Sequence, residues 1–118
     1  MSDRESVYFN QPSTYFIQAL EYTTVFLVAE TLLLELAKTD AAFLAFNNKL
    51  LHNHIRHLQR RITQLQSATA EERYLYFTKI YPDLTLRVPQ ILIASYLGIT
   101  PESLSRVRKE LARKNHKK

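Results

Sequence analysis

The stretch from residue 40 to residue 66 most constrains what this 118-residue chain can fold into. It contains no glycine or proline and opens on Asp40, whose short carboxylate suits a helix N-cap, so it reads as one long helix. Its seam positions recur at alternating spacings of four and three: Leu44, Asn48, Leu51, Ile55, Leu58, Ile62 and Leu65. That is a heptad with Asn48, Ile55 and Ile62 at a, and the four leucines at d. β-Branched residues at a, leucine at d and one asparagine in the seam favour two parallel helices in register. The expectation is a parallel homodimer; the alternative is an amphipathic helix packed on its own domain. The flanking Asn47, His52, Gln59 and Arg61 offer no charge complementarity, so nothing there specifies a different partner.

One glycine in the whole chain, where about 7% is usual, predicts a mostly helical protein and excludes glycine-rich phosphate loops. The absence of cysteine removes disulfides and thiolate metal sites, which suits a reducing cytoplasm. No apolar run approaches the roughly 18 residues that span a bilayer. The opening Met1-Ser2-Asp3-Arg4-Glu5 is too polar for a signal peptide, so a cytoplasmic protein with no membrane partner is expected. The net charge of +5 is unevenly spread. Residues 1–38 set Arg4 and Lys38 against five carboxylates, whereas residues 101–118 set seven lysines and arginines against Glu102 and Glu110. A positive field gathered at one end points to a polyanion, nucleic acid before a membrane surface, with a solvated lysine tail as the alternative.

Three segments follow from the pattern: 1–38, 39–67 and 68–118. In the first, β-branched and aromatic residues crowd 15–20 and 23–28, reading as two short strands joined at Glu21-Tyr22. Residues 31–38 turn helical, with Leu32, Leu33 and Leu36 on one side. Two strands alone are marginal in water and their edges invite pairing, so this segment reads as the end of a larger sheet.

The third segment opens on a capping box, Thr69-Ala70-Glu71-Glu72, followed by helix to about Tyr81, where Pro82 is expected to stop it. Pro89 suits a first helical position, and 90–96 reads as a short helix broken by Leu97-Gly98-Ile99. Thr100 then caps, and Pro101 begins, a helix to about Ala112. Two helices crossing closely need a small residue at the crossing and a left-handed backbone at the turn, and Ala94 and Gly98 supply these four residues apart. Ile93, Leu97, Ile99, Leu104 and Val107 would bury the second helix, leaving Glu102, Ser103, Ser105, Arg106 and Lys109 outward near its N-terminal half. That half is the one a helix-turn-helix inserts into a major groove.

The runs Ala70-Glu71-Glu72-Arg73-Tyr74, Arg87-Val88-Pro89-Gln90 and Ile93-Ala94-Ser95-Tyr96-Leu97-Gly98-Ile99-Thr100-Pro101-Glu102-Ser103-Leu104-Ser105-Arg106 resemble the C-terminal domain of Crp/Fnr-type transcription regulators. Upstream, Asn10-Gln11-Pro12-Ser13 and Ile17-Gln18-Ala19-Leu20-Glu21 resemble the closing strands of that family's cyclic-nucleotide-binding-like β-roll, and the heptad helix its dimerisation helix. The fold so implied is mainly α, with a short β-roll remnant, a long dimerisation helix and a C-terminal winged-helix-like helix-turn-helix domain lacking most of the wing. The function implied is sequence-specific regulation of transcription, with double-stranded DNA, a second copy and RNA polymerase as partners.

The resemblance also assigns roles. Glu102 and Arg106 become base readers, the arginine donating to guanine and the glutamate accepting from cytosine; the alternative is a plain i, i+4 ion pair. Gln90, Thr100, Ser105, Lys109 and Arg113 become phosphate contacts, with Lys114, Lys117 and Lys118 adding backbone charge in place of a wing. Pro101 departs from relatives that carry a third polar reader there. Because the chain would begin near the end of the β-roll, and Leu58-Gln59-Arg60 lack the Thr-Ser pair of cyclic-AMP sensors, no cyclic nucleotide cofactor is expected.

Other clusters read blandly. His52, His54 and His57 have no carboxylate or cysteine at a metal spacing, so no metal is expected. Tyr74, Tyr76, Phe77, Ile80 and Tyr81 suit core packing better than a base-stacking platform. No nucleophile, base and acid set suggests catalysis, and an enzyme is not expected. A rival reading keeps the seam alone: a truncated dimerisation module that modulates a full-length regulator without reading DNA itself.

Overall fold

The computed structural model describes residues 2–117 and is mainly α-helical, with no strand among the described residues. Among the described residues seven helices follow in order: α1 (Arg4–Phe9), α2 (Glu30–Thr39), α3 (Ala41–Ser67), α4 (Ala70–Ile80), α5 (Pro82–Arg87), α6 (Gln90–Leu97) and α7 (Pro101–His116). They divide into two compact units, residues 1–52 and 53–118, the division falling inside α3.

The first unit has no buried side chain among its described residues. Asp3 caps α1 by accepting from the Ser6 N–H, and Asn10 closes it in the left-handed region at φ 52°. The strand that the resemblance placed around residues 10–13 is absent, these residues following α1 as a turn and irregular chain. The two strands expected over 15–20 and 23–28 are also absent; the segment is irregular, with Phe16 88%, Tyr22 98% and Phe26 94% exposed. The reason is local. A two-residue hairpin needs positive φ at its turn, which Glu21-Tyr22 does not favour, and two strands without a third have little to pack against. Asp40 then serves two helices: its N–H donates to Leu36 O at the end of α2, and its Oδ1 accepts from the N–H groups of Ala42 and Phe43 at 2.9 and 3.2 Å to start α3.

In the second unit α4, α6 and α7 enclose the core: Tyr74 and Phe77, then Ile93, Ala94 and Leu97, then Leu104 and Val107, with Tyr81, Val88, Ile99 and Leu111 packed around them. The capping box forms as expected, the Thr69 N–H donating to Glu72 Oε2 at 2.8 Å and the Glu72 N–H to Thr69 Oγ1 at 3.2 Å. Pro82 does end α4, yet it also begins α5, because proline at a first helical position forfeits an N–H that has no intrahelical partner anyway. α7 continues past Ala112 to His116, so most of the basic tail is helix.

Gly98 sits at φ 69°, ψ 33°. Its N–H donates to Ser95 O at 3.1 Å and the Ile99 N–H to Ala94 O at 3.0 Å, the pair of bonds that closes a helix in a Schellman turn. A β-carbon there would come 3.1 Å from Leu65 Cδ2. Gly98→Ala should therefore destabilise the second unit by about 1–2 kcal/mol, from left-handed backbone strain together with the tight contact. Urea titration measures it; an unchanged midpoint would mean that the turn relaxes freely.

Candidate nucleic-acid interface

α7 divides by face. Leu104, Val107 and Leu111 turn inward, whereas Glu102, Ser105, Arg106, Lys109 and Arg113 are exposed and follow helical spacing along the opposite side. With Pro101 and Glu110 they line one open depression. No ion pair joins Glu102 to Arg106 among the described residues, so the i, i+4 pairing that would occupy both side chains does not form. The carboxylate and the guanidinium are left to face solvent one turn apart, near the N-terminal end of the helix.

Thr100 caps α7, its Oγ1 accepting from the Ser103 N–H at 3.1 Å. The hydroxyl proton is not consumed by that bond and can be donated outward. Gln90, at the start of α6, differs from an outward donor: it is half-buried and its Oε1 is buried without a partner among the described residues. An acceptor in that position cannot meet a phosphate oxygen, so any anion contact at Gln90 falls to its Nε2 or its backbone N–H. Lys114 is drawn aside as well. Its Nζ lies 2.8 Å from Glu71 Oε1 on α4, and that hydrogen bond raises the lysine above its ordinary pKa. Lys117 is exposed, and Lys118 lies outside the described residues.

The heptad seam of α3 is also open. Leu44, Asn48, Ile55, Leu58, Ile62 and Leu65 are exposed in the single chain, the five apolar ones by 40–55%, and Leu51 is half-buried. In the second unit a different face of α3, carrying His57, Arg61 and Gln64, is the half-buried one. Within the second unit, packing on α3 thus leaves Ile55, Leu58 and Ile62 exposed, while Leu65 reaches the turn at Gly98.

Sequence reasoning missed two arginines at this junction. Arg61 donates to Tyr96 O at 2.7 Å while its guanidinium carbon stands 3.7 Å above the centre of the Tyr96 ring. Arg73 donates to three backbone carbonyls, Gln64 at 3.1 Å, Leu65 at 2.8 Å and Leu97 at 3.2 Å. No local pattern announces either contact, because the acceptors are backbone atoms far along the chain. The aromatic residues beside them pack as expected, Phe77 against Tyr81 and Tyr96 at ring distances of 5.5 and 5.7 Å, while Ile80 of the same stripe is 46% exposed. The cavity they line with His57 and Arg61 is about 30 Å³, room for a water or two and well below the size of a drug-sized ligand pocket.

Among the described residues no three histidines or carboxylates come together as a metal site, and no helix is long and apolar enough to cross a membrane. Family models, curated protein sequences and solved structures give no match to this chain, so the functional reading rests on its own residues.

Proposed function

We propose that this chain is a DNA-binding regulator of transcription that reads an approximately palindromic operator as a homodimer, as its resemblance to the Crp/Fnr regulators implies. The observation that carries the reading is the outer face of α7, where Glu102 and Arg106 stand exposed and unpaired behind the Gly98 turn, with Lys109 and Arg113 on the same side. Arg106 has the forked donors that match guanine O6 and N7, and Glu102 is an acceptor suited to the cytosine amino group. Thr100, Ser105, Lys109 and Arg113 bring hydroxyls and cations to the flanking phosphates, which orient the helix without reading sequence. Two copies joined along the α3 seam would present two such helices to half-sites about 34 Å apart. Cytoplasmic action, and contact with RNA polymerase, belong to the same reading.

Arg106→Ala should cost about 1–3 kcal/mol of operator binding and relax preference at one base position in each half-site. Selection of bound sequences from a random duplex library, followed by titration at several salt concentrations, measures both effects. Lys109 and Arg113 from two protomers also predict that wild-type affinity falls about 100-fold between 50 and 200 mM salt. Equal loss on every sequence would remove Arg106 as a reader, and a salt-independent complex would remove DNA as the partner. The open seam also supports a dimerisation module that does not read DNA; that reading predicts a dimer that shifts no duplex at moderate salt.

A further inference from the structure

Two helix C-termini converge where α3, α4 and α6 meet. α3 ends at Ser67 and α6 at Leu97, and most carbonyls of such last turns lack intrahelical donors, although Gln64 O also accepts from the Ala68 N–H at 3.0 Å. Each end also carries about half a negative charge from its helix dipole, so bringing two together is unfavourable without a cation between them. Arg73, on α4, supplies that cation. Its Nε and Nη2 donate to Gln64 O and Leu65 O on α3, and its Nη1 to Leu97 O on α6. Arg61, on α3, takes the neighbouring carbonyl of Tyr96 and stacks on that residue's ring. The planar fork of a guanidinium fixes direction as well as distance, which an ammonium on a flexible stem does not.

A third contact completes the junction. Leu65, the last d position of the heptad, lies against the turn at Gly98, the residue that separates α6 from α7. One end of the candidate dimer seam therefore touches the turn that aims the candidate reading helix.

We propose that Arg73, assisted by Arg61, is a positioning device that holds the helix-turn-helix at one angle to α3, so that the geometry of the seam becomes the spacing between two reading helices. This rests on the DNA reading above for its consequence, though not for its mechanism. Arg73 touches no base or phosphate in this scheme; it acts through the orientation of α7. Removing it should leave the preferred bases of each half-site intact while relaxing how far apart the half-sites must stand.

The test uses the full chain and has two readouts. The chain contains no cysteine, so His54→Cys on α3 and Arg108→Cys on α7 give two unique spin-labelling sites, both exposed. Labelled chain is diluted into unlabelled chain so that the measured distances lie within one protomer. A single narrow distance is expected with Arg73 present, and a broad one in Arg73→Gln. The second readout is affinity for operators whose half-site spacing is lengthened or shortened by one or two base pairs. Wild type should lose about tenfold or more per change of spacing, and Arg73→Gln less than about threefold. Arg73→Lys, which keeps the charge without the fork, should resemble Arg73→Gln.

If Arg73→Gln fails to fold, Arg61→Gln carries the same test, since Arg61 lies outside the core. An equally narrow distance in the folded variant would overturn the proposal, as would a spacing optimum as sharp as wild type. A broadened distance in a protein that binds no operator would uphold the latch and overturn the DNA reading, so the two fail separately.

Discussion

Leu58→Glu should sediment as a monomer at concentrations where the wild-type chain sediments as a dimer. Leu58 is a d position at the middle of the seam and 43% exposed in the single chain. In a parallel dimer its two copies face each other, so the substitution removes two buried leucines at about 2 kcal/mol each and sets two carboxylates opposite one another. A combined loss of about 4–6 kcal/mol weakens dimerisation by about 10³–10⁴-fold. Gln59→Glu, one residue away and outside the a and d positions, adds the same charge and should leave the mass unchanged. Analytical ultracentrifugation decides the matter, and a Leu58→Glu chain that still sediments as wild type would place the interface elsewhere.

Leu104→Ala should remove a large share of the stability of the second unit. Leu104 is 1% exposed and belongs to a core of small extent, in which Tyr74, Phe77, Ile93, Ala94, Leu97 and Val107 are its buried companions among the described residues. A leucine truncated in such a place costs about 3–4 kcal/mol, from lost transfer energy and the cavity left behind. Total stabilities of small domains are about 5–15 kcal/mol, so this is a large share. The corresponding fall in Tm is roughly 15–25 °C for a unit of this size. The effect reaches the candidate interface as well, because Leu104 is the inward residue that seats the turn of α7 carrying Glu102 and Arg106. A urea titration with an unchanged slope and a shifted midpoint is expected; a shift under about 1 kcal/mol would mean that α7 is held by something other than this core.

Local signals were the legible ones. The capping box at Thr69 and Glu72, the cap at Asp40 and the turn at Gly98 each declare themselves within a few residues, and each is present in the fold, as is the long helix read over 40–66. The failures share a different cause. β-Branched and aromatic composition over 15–28 states a preference for extended backbone, but a strand exists only where another backbone pairs with it, and none does so among the described residues. α1 escaped notice because a single turn or two capped by Asp3 has almost no periodicity to detect. At the candidate interface the residues on α7 were legible because one helix orders them all. The altered positions, Gln90 with its buried oxygen and Lys114 drawn to Glu71, depend on neighbours from other helices.

By itself the sequence determined the mainly helical class, the caps at Asp40, Thr69 and Thr100, the Gly98 turn and which side of α7 faces outward, since caps, glycine and apolar spacing act through bonds and sterics over a few residues. Only the tertiary structure decided what Arg61 and Arg73 hold, pairing them with carbonyls 35 and 24 residues away. A guanidinium can satisfy any carbonyl it reaches, and which one it reaches is settled by how α3, α4 and α6 pack, not by the residues beside it in the chain.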